Sequence, residues 1–315
     1  MVLKDIKNKK VFVIINSYRI GDILLTNSLV QNIKRIYEDA FVVMLTSPAL
    51  VDIAKYQKGV DDVVIWDRHG IHKGAFNTIK FAFKFPYKKV YAAFPIYGMD
   101  RPLLLSKLLG AKYIIAPRRS AYSDLFRKSK YQFNLEGSTV QQEHVNLLSG
   151  ITKEKLIDVP VVYNAQNVSD YLTPNDEYVV ICPTSSKKEK DMPIELLIET
   201  IAKIEKHIVL IGKGSEADII SERLKQEKFP NLIDLTGKTS ILEMADVINK
   251  SLAVITVDTG TLHLSVALQK PTIALFYTKG TERFIPNPSL YNCTVLENKS
   301  SENISLTLKD ILKSN

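Results

Sequence analysis

The sequence predicts an α/β protein made of two successive Rossmann-like lobes with parallel sheets. Three observations carry this reading. Short, β-branched apolar runs recur along the chain, each bounded by polar residues, as buried parallel strands are. Stretches with apolar residues at helical spacing lie between them. The alternation stops after about residue 116 and restarts near residue 178, beyond a polar segment. Strands alternating with helices imply βαβ units, and ligands of such sheets bind in a cleft at the carboxyl ends of the strands.

In the first half, Val11–Asn16 is the opening strand. Asp22–Tyr37 follows as one helix, with Ile23, Leu24, Leu29, Val30, Ile33 and Ile36 on its buried face. Phe41–Leu45, Val63–Trp66, Lys89–Ala93 and Tyr113–Ala116 are the next strands. Residues 117–137 break the pattern, with Arg118, Arg119, Arg127, Lys128 and Lys130 interleaved with Tyr122, Phe126, Tyr131 and Phe133. A helix resumes over Ser138–Leu148, and residues 164–176 are polar and read as a linker. The second half supplies strands Tyr178–Cys182, Ile208–Ile211, Leu232–Leu235, Leu252–Thr256 and Thr272–Phe276. Its helices are Pro193–Glu205, Ser215–Lys225, Ser240–Asn249 and Thr259–Leu268. The expected domains are 1–163 and 177–300, with 301–315 an amphipathic helix placed to pack back on the first domain.

Composition bounds the function. The chain has 315 residues, 45% hydrophobic and 24% charged, with 13 Gly and 13 Pro, which excludes collagen-like and low-complexity character. The length suits two domains, one large α/β domain being the alternative. Two cysteines, Cys182 and Cys293, are too few for a disulfide scaffold and suit a reducing compartment. Met1–Lys10 has no signal-peptide core, and no run approaches the roughly 18 apolar residues of a membrane span. A cytoplasmic, soluble protein is expected. The net charge of +8 is uneven: residues 1–150 hold 23 Lys and Arg against 12 Asp and Glu, a net of +11, and the remainder nets −3. That asymmetry suits an anionic partner for the first half, whether nucleic acid, a membrane surface or a phosphorylated substrate. A lysine-rich solvated surface is the bland alternative.

Four loops carry candidate chemistry. The first, Asn16–Asp22, joins a strand to a helix through Gly21. Asp22 is either a helix N-cap or a carboxylate facing the cleft as a general base. The second, Cys182–Pro193, brings Thr184, Ser185 and several lysines to a helix start, where a phosphate could bind. The third is Gly212-Lys213-Gly214-Ser215-Glu216. It lacks a full dinucleotide fingerprint and reads first as a plain turn, although Glu216 is placed to accept from a ribose. The fourth is Thr256–His263. Backbone N–H groups of Thr259, Gly260 and Thr261 suit a diphosphate, and Thr259 and His263 share a helical face. Asp258 as an N-cap and His263 as a buried structural histidine are the alternatives there. The five histidines form no metal-ligand frame, no Walker A or Gly-x-Ser-x-Gly motif occurs, and both cysteines read as buried thiols. No metal or cofactor is expected beyond a co-substrate.

Read together, these loops resemble the bacterial lipopolysaccharide heptosyltransferase family, from about Val11 to Phe276. The resemblance rests on Asp258-Thr259-Gly260 with His263 and the Ala267-Leu268…Pro271 run, on Arg19-Ile20-Gly21-Asp22, and on Gly237-Lys238-Thr239-Ser240. It implies a GT-B fold and inverting, metal-independent transfer from ADP-heptose, or another nucleotide sugar, to an anionic lipid-linked core glycan, and it adds peripheral contact with the inner face of the membrane. By that resemblance Asp22 is the general base. Lys190 and the Thr259-Gly260 backbone hold the donor diphosphate with Thr184 and Ser185, Glu216 holds the ribose, and Asp258 and His263 line the sugar–phosphate pocket. Acceptor contact falls to Arg19 and the basic stretch Arg118, Arg119, Arg127 and Lys128. The family has a tryptophan where Met192 stands before Pro193, so Lys187 and Lys188 also compete for the diphosphate. Competing readings are a nucleic-acid-binding protein, which shows no RRM, KH or helix-turn-helix pattern, and a nicotinamide-dependent oxidoreductase.

Overall fold

The structure, a computed structural model, describes residues 8–117, 139–171 and 177–314. The chain divides into two compact units, Met1–Val161 and Val162–Asn315.

The first unit holds a parallel sheet of β1 (Lys10–Ile15), β2 (Ala40–Thr46), β3 (Asp62–Ile65), β4 (Val90–Pro95) and β5 (Tyr113–Ile114). Their spatial order is β3-β2-β1-β4-β5, so the direction of winding reverses between β1 and β4. β1 and β2 are buried along almost their whole length, which explains their continuous apolar runs. The helices are α1 (Ile20–Leu25), α2 (Asn27–Ile36), α3 (Val51–Lys55), α4 (Gly74–Lys84), α5 (Asp100–Leu108) and α6 (Val140–Asn146). The single helix expected over Asp22–Tyr37 is therefore two. The Thr26 hydroxyl donates to the Ile23 carbonyl at 2.6 Å, and this local bond competes with continuation of the helical ladder. α6 starts on a capping box, with Thr139 and Gln142 each bonded to the other's backbone N–H. After α6 the chain returns along α2, where Ser28, Gln31 and Asn32 donate to the carbonyls of Val159, Pro160 and Ile157.

The second unit repeats the design with β6 (Tyr178–Cys182), β7 (His207–Leu210), β8 (Leu232–Asp234), β9 (Ala253–Val257), β10 (Thr272–Leu275) and β11 (Cys293–Val295). The order is β11-β10-β9-β6-β7-β8, with every pairing parallel and the reversal between β6 and β9. Its helices are α7 (Ile194–Ala202), α8 (Ser215–Glu227), α9 (Ile241–Lys250), α10 (Gly260–Ala267) and α11 (Ser301–Ser314). The expected strands lie within a residue or so of their predicted ends. The short edge strand β11 carries too little apolar sequence to have been predicted. α11 packs within the second unit: its buried Ile304 and Leu308 lie in one cluster with Leu197 and Ile201 of α7. The stripe that made the tail amphipathic is satisfied there.

Ile304→Ala is expected to destabilise the second unit by about 2–5 kcal/mol, because it opens a cavity in that cluster. The exposed neighbour change Leu306→Ala should stay within about 0.5 kcal/mol. Denaturant midpoints of the two variants compare them directly.

Candidate active site

Where the strand order of a parallel sheet reverses, the loops leaving the two neighbouring strands turn to opposite faces and leave a crevice at the carboxyl edge. In the first unit those loops follow β1 and β4. Asn16 extends β1 by donating to Leu45 O at 3.0 Å, and its side-chain amide donates to Asp22 O at 2.9 Å, which fixes the loop to the start of α1. The N-cap position is Arg19, with no side-chain cap, so Asp22 is not the N-cap. Its carboxylate instead accepts a hydrogen bond from across the reversal: the Tyr97 hydroxyl, just beyond β4, donates to Oδ1. Burial raises the Asp22 pKa above the usual aspartate value, and the Tyr97 bond, the Arg19 charge and the Arg19 N–H each work against that rise.

The Tyr97 ring packs on Tyr18 with centroids 4.1 Å apart, and the Arg68 guanidinium lies 4.4 Å from the Tyr18 centroid. Arg101 donates to the Arg68 carbonyl at 3.0 Å. Tyr18, Arg68, Tyr97 and Arg101 were missed by sequence reasoning. Arg68 and Tyr97 stand just past predicted strands of a parallel sheet, and that position was the available signal. Arg19 is exposed at the same edge. Arg118, Arg119, Arg127 and Lys128 lie outside the described residues.

In the second unit the reversal lies between β6 and β9. The loop after β6 closes on itself: Met192 N–H donates to Pro183 O at 2.9 Å, and Ser185 N–H to Asp191 Oδ1 at 2.6 Å. Burial raises the Asp191 pKa. Met192 is buried in the second core and fills an apolar position next to Pro193. The short helical turn Lys188–Lys190 brings the Lys190 ammonium onto the Asp258 carboxylate beyond β9. Their side chains are 16% and 7% exposed. Of the three candidate lysines, Lys190 alone makes this bond: Lys188 pairs with Glu216 at 3.1 Å, and Lys187 approaches Glu189 at 3.9 Å. Thr184 is buried under the next loop. A Cβ on Gly212 would stand 3.1 Å from both Thr184 Oγ1 and the Ala217 Cβ, so a larger residue there would have to push these neighbours back by a few tenths of an ångström. Ser185 donates its hydroxyl to Lys187 O at 2.8 Å, and Glu216 occupies the first turn of α8, which starts at Gly214 with φ +103°.

The cap of α10 is Thr259, in extended conformation and without a side-chain hydrogen bond, so Asp258 is not a cap here either. The helix start at Thr259, Gly260 and Thr261 is left open to an anion by its own side chains. Thr261 donates to Cys182 Sγ at 3.3 Å, tying α10 to β6, and burial raises the Cys182 pKa. His263 is buried beside this corner, with Nδ1 lacking a hydrogen-bond partner and its ring edge on to Phe284. Burial pushes its pKa down to about 4, and the nearby Asp258 and Lys190 act in opposite directions. It is neutral at pH 7. Gly237-Lys238-Thr239-Ser240 has a structural account: Gly237 has φ +69°, and Ser240 forms a capping box with Glu243 at the start of α9. Among the described residues no three His, Cys, Asp or Glu converge as metal ligands.

Comparison with known proteins identifies the family. A model of glycosyltransferase family 9 (heptosyltransferase) matches residues 129–311, well over half of the chain. Lipooligosaccharide heptosyltransferase 2 of Haemophilus influenzae is 32% identical over 72 residues, 22% of this chain, and the chain spans only 21% of that relative. Among solved structures, a family 9 glycosyl transferase from Veillonella parvula superposes with a TM-score of 0.83 at 16% identity, covering 97% of this chain and 98% of its own. ADP-heptose LPS heptosyltransferase II of E. coli gives 0.77 at 17% identity, over 97% and 99%. E. coli heptosyltransferase WaaC with ADP gives 0.76 at 17%, over 96% and 99%. These likenesses show the fold. Asp22 lies outside the residues that the family model matches.

Two expectations follow for the second unit. Lys190→Ala strands a buried carboxylate and should cost about 3–5 kcal/mol, whereas Lys188→Ala breaks an exposed pair and should cost under about 1 kcal/mol. The difference is read in thermal or denaturant midpoints. His263 binds a proton less well folded than unfolded, so its contribution to stability is present above the unfolded pKa near 6.5 and is lost as pH falls toward about 4. At ~1.4 kcal/mol per pKa unit this amounts to roughly 3 kcal/mol, and His263→Gln should flatten the melting temperature between those pH values.

Proposed function

This chain belongs to glycosyltransferase family 9, and we propose that it transfers a sugar, with inversion, from a nucleoside-diphosphate donor to a hydroxyl of an anionic, lipid-linked glycan. ADP-heptose is the first donor to test: three of the relatives named above are heptosyltransferases, and one of those structures holds ADP. The observation that carries the reading is the Lys190–Asp258 pair beside the open start of α10, at the strand-order reversal of the second unit.

In the reaction proposed, the acceptor oxygen forms a bond to the anomeric carbon as the bond from that carbon to the diphosphate oxygen breaks. The acceptor proton passes to the Asp22 carboxylate, and the nucleoside diphosphate leaves with an added negative charge. An ammonium has three N–H donors. Asp258 accepts one from Lys190, and the others are proposed to serve the diphosphate together with the N–H groups of Thr259, Gly260 and Thr261. Stabilising charge where it develops is the largest single lever in such chemistry. Asp258 thus acts through Lys190, holding the ammonium at the crevice. Neutral His263 offers a hydrogen bond without adding charge, Glu216 is assigned the ribose, and Thr184 and Ser185 shape the phosphate loop. On the acceptor side, the proposal adds Arg68 and Arg101 to Arg19 as cations at the Asp22 edge, and keeps Arg118, Arg119, Arg127 and Lys128 as acceptor contacts. Asp22 suits a base: burial raises its proton affinity, and Tyr97 fixes the direction of its oxygens.

Asp22→Asn should preserve the rise in melting temperature on adding ADP while lowering transfer by about 10²–10⁴-fold; wild-type turnover would remove Asp22 from the mechanism. A thermal-shift panel of ADP-, UDP-, GDP- and CDP-sugars identifies the donor. Tyr97→Phe deletes a bond that favours the ionised carboxylate, so the acidic limb of the kcat/KM profile should move to higher pH.

A further inference from the structure

We propose that α4, with the turn that leads into it, is a docking surface for an anionic lipid bilayer. The helix has two apolar faces. Thr78, Phe81 and Ala82 are buried, and Phe81 joins the first unit's core with Phe85 and Tyr87. Phe76, Ile79 and Phe83, spaced three and four apart, form a second stripe turned away from that core. Phe76 is 78% exposed and Phe83 is 81% exposed, and Ile71 in the preceding turn is exposed as well. A folded domain seldom leaves two phenylalanines on one helix face in water unless that face meets something apolar.

The charges beside the stripe identify the occupant. Lys73, Lys80 and Lys84 are exposed and lie along one flank of the phenylalanine stripe. From Arg68 to Met99 the chain has six Lys and Arg residues and no Asp or Glu. Protein–protein interface cores are depleted in lysine. A helix with Phe and Ile on one face and lysines on the flank is the pattern that seats in the headgroup region of an anionic membrane. The stripe continues into a shallow groove lined by Ile79, Phe83, Tyr87, Lys88 and Leu108, so the apolar surface extends beyond one helix. No helix among the described residues is long and apolar enough to cross a membrane, which is consistent with a surface that lies on the bilayer.

This inference extends the reading of a lipid-linked acceptor by naming the face that would meet the lipid. Its test uses neither donor nor acceptor, so either can fail alone. The full chain is floated with vesicles of phosphatidylethanolamine and phosphatidylglycerol, and with phosphatidylcholine vesicles, at low and high salt. Wild-type protein should float with the anionic vesicles and less so at high salt. Phe76→Ser with Phe83→Ser should lower partitioning by about tenfold at an unchanged melting temperature, since both side chains are exposed. Lys80→Glu with Lys84→Glu should remove the preference for anionic lipid. Failure of the wild type to float at low salt, or flotation of both variants at the wild-type level, overturns the proposal. So does a dimer in light scattering that the phenylalanine variant dissolves, which would make this face a contact between copies.

Discussion

Each unit depends on a carboxylate held across the reversal of strand order in its parallel sheet. In the first, Asp22 on the β1 side accepts from Tyr97 on the β4 side. In the second, Asp258 on the β9 side accepts from Lys190 on the β6 side. The reversal is the one place on such a sheet where neighbouring loops diverge, so the edge there has polar groups without a covering helix. A buried carboxylate left alone in that position would be costly. A phenol satisfies one and an ammonium the other: the first carboxylate is paired with a neutral hydroxyl, the second with a cation.

The charge distribution takes a sharper meaning from this. The second half of the chain nets −3, so any affinity for a diphosphate must come from a few placed groups. Lys190 and the open start of α10 are the groups proposed for it, and burial of His263 disfavours an additional positive charge in the corner. The +11 of the first half is spread differently. Part of it stands at the Asp22 edge as Arg19, Arg68 and Arg101, and part flanks the exposed phenylalanines of α4. The basic charge of the first unit thus lies on at least two separate parts of its surface.

Much of this was legible before any tertiary structure. The parallel strands announced themselves as continuous apolar runs, because a strand covered on both faces needs no polar alternation. The loops after β1, β6, β7 and β9 were singled out by glycine, hydroxyl and acidic residues next to those runs. The break at Thr26 was not legible, since it depends on a local hydroxyl bond that leaves the helical periodicity intact. The N-cap reading, one alternative for both Asp22 and Asp258, does not hold: the caps are Arg19, three residues before Asp22, and Thr259, one residue after Asp258. Helix starts are hard to place to within one residue from pattern alone, and a single step changes what a carboxylate can reach.

By itself the sequence determined the α/β class, the two sheets, the loops that bear polar chemistry and the candidate residues Asp22, Asp258, Thr259, Gly260 and His263. These follow from local pattern: hydrophobic period, turn chemistry and residue type at strand ends. Only the tertiary structure decided the partners. It paired Lys190, and neither Lys187 nor Lys188, with Asp258, brought Tyr97 to Asp22 across 75 residues of sequence, stacked Arg68 on Tyr18, and placed the tail helix in the core of its own unit. It also left one apolar face of α4 in solvent. Those outcomes depend on which strands become neighbours, and strand order is a property of the whole sheet that no local window of residues contains.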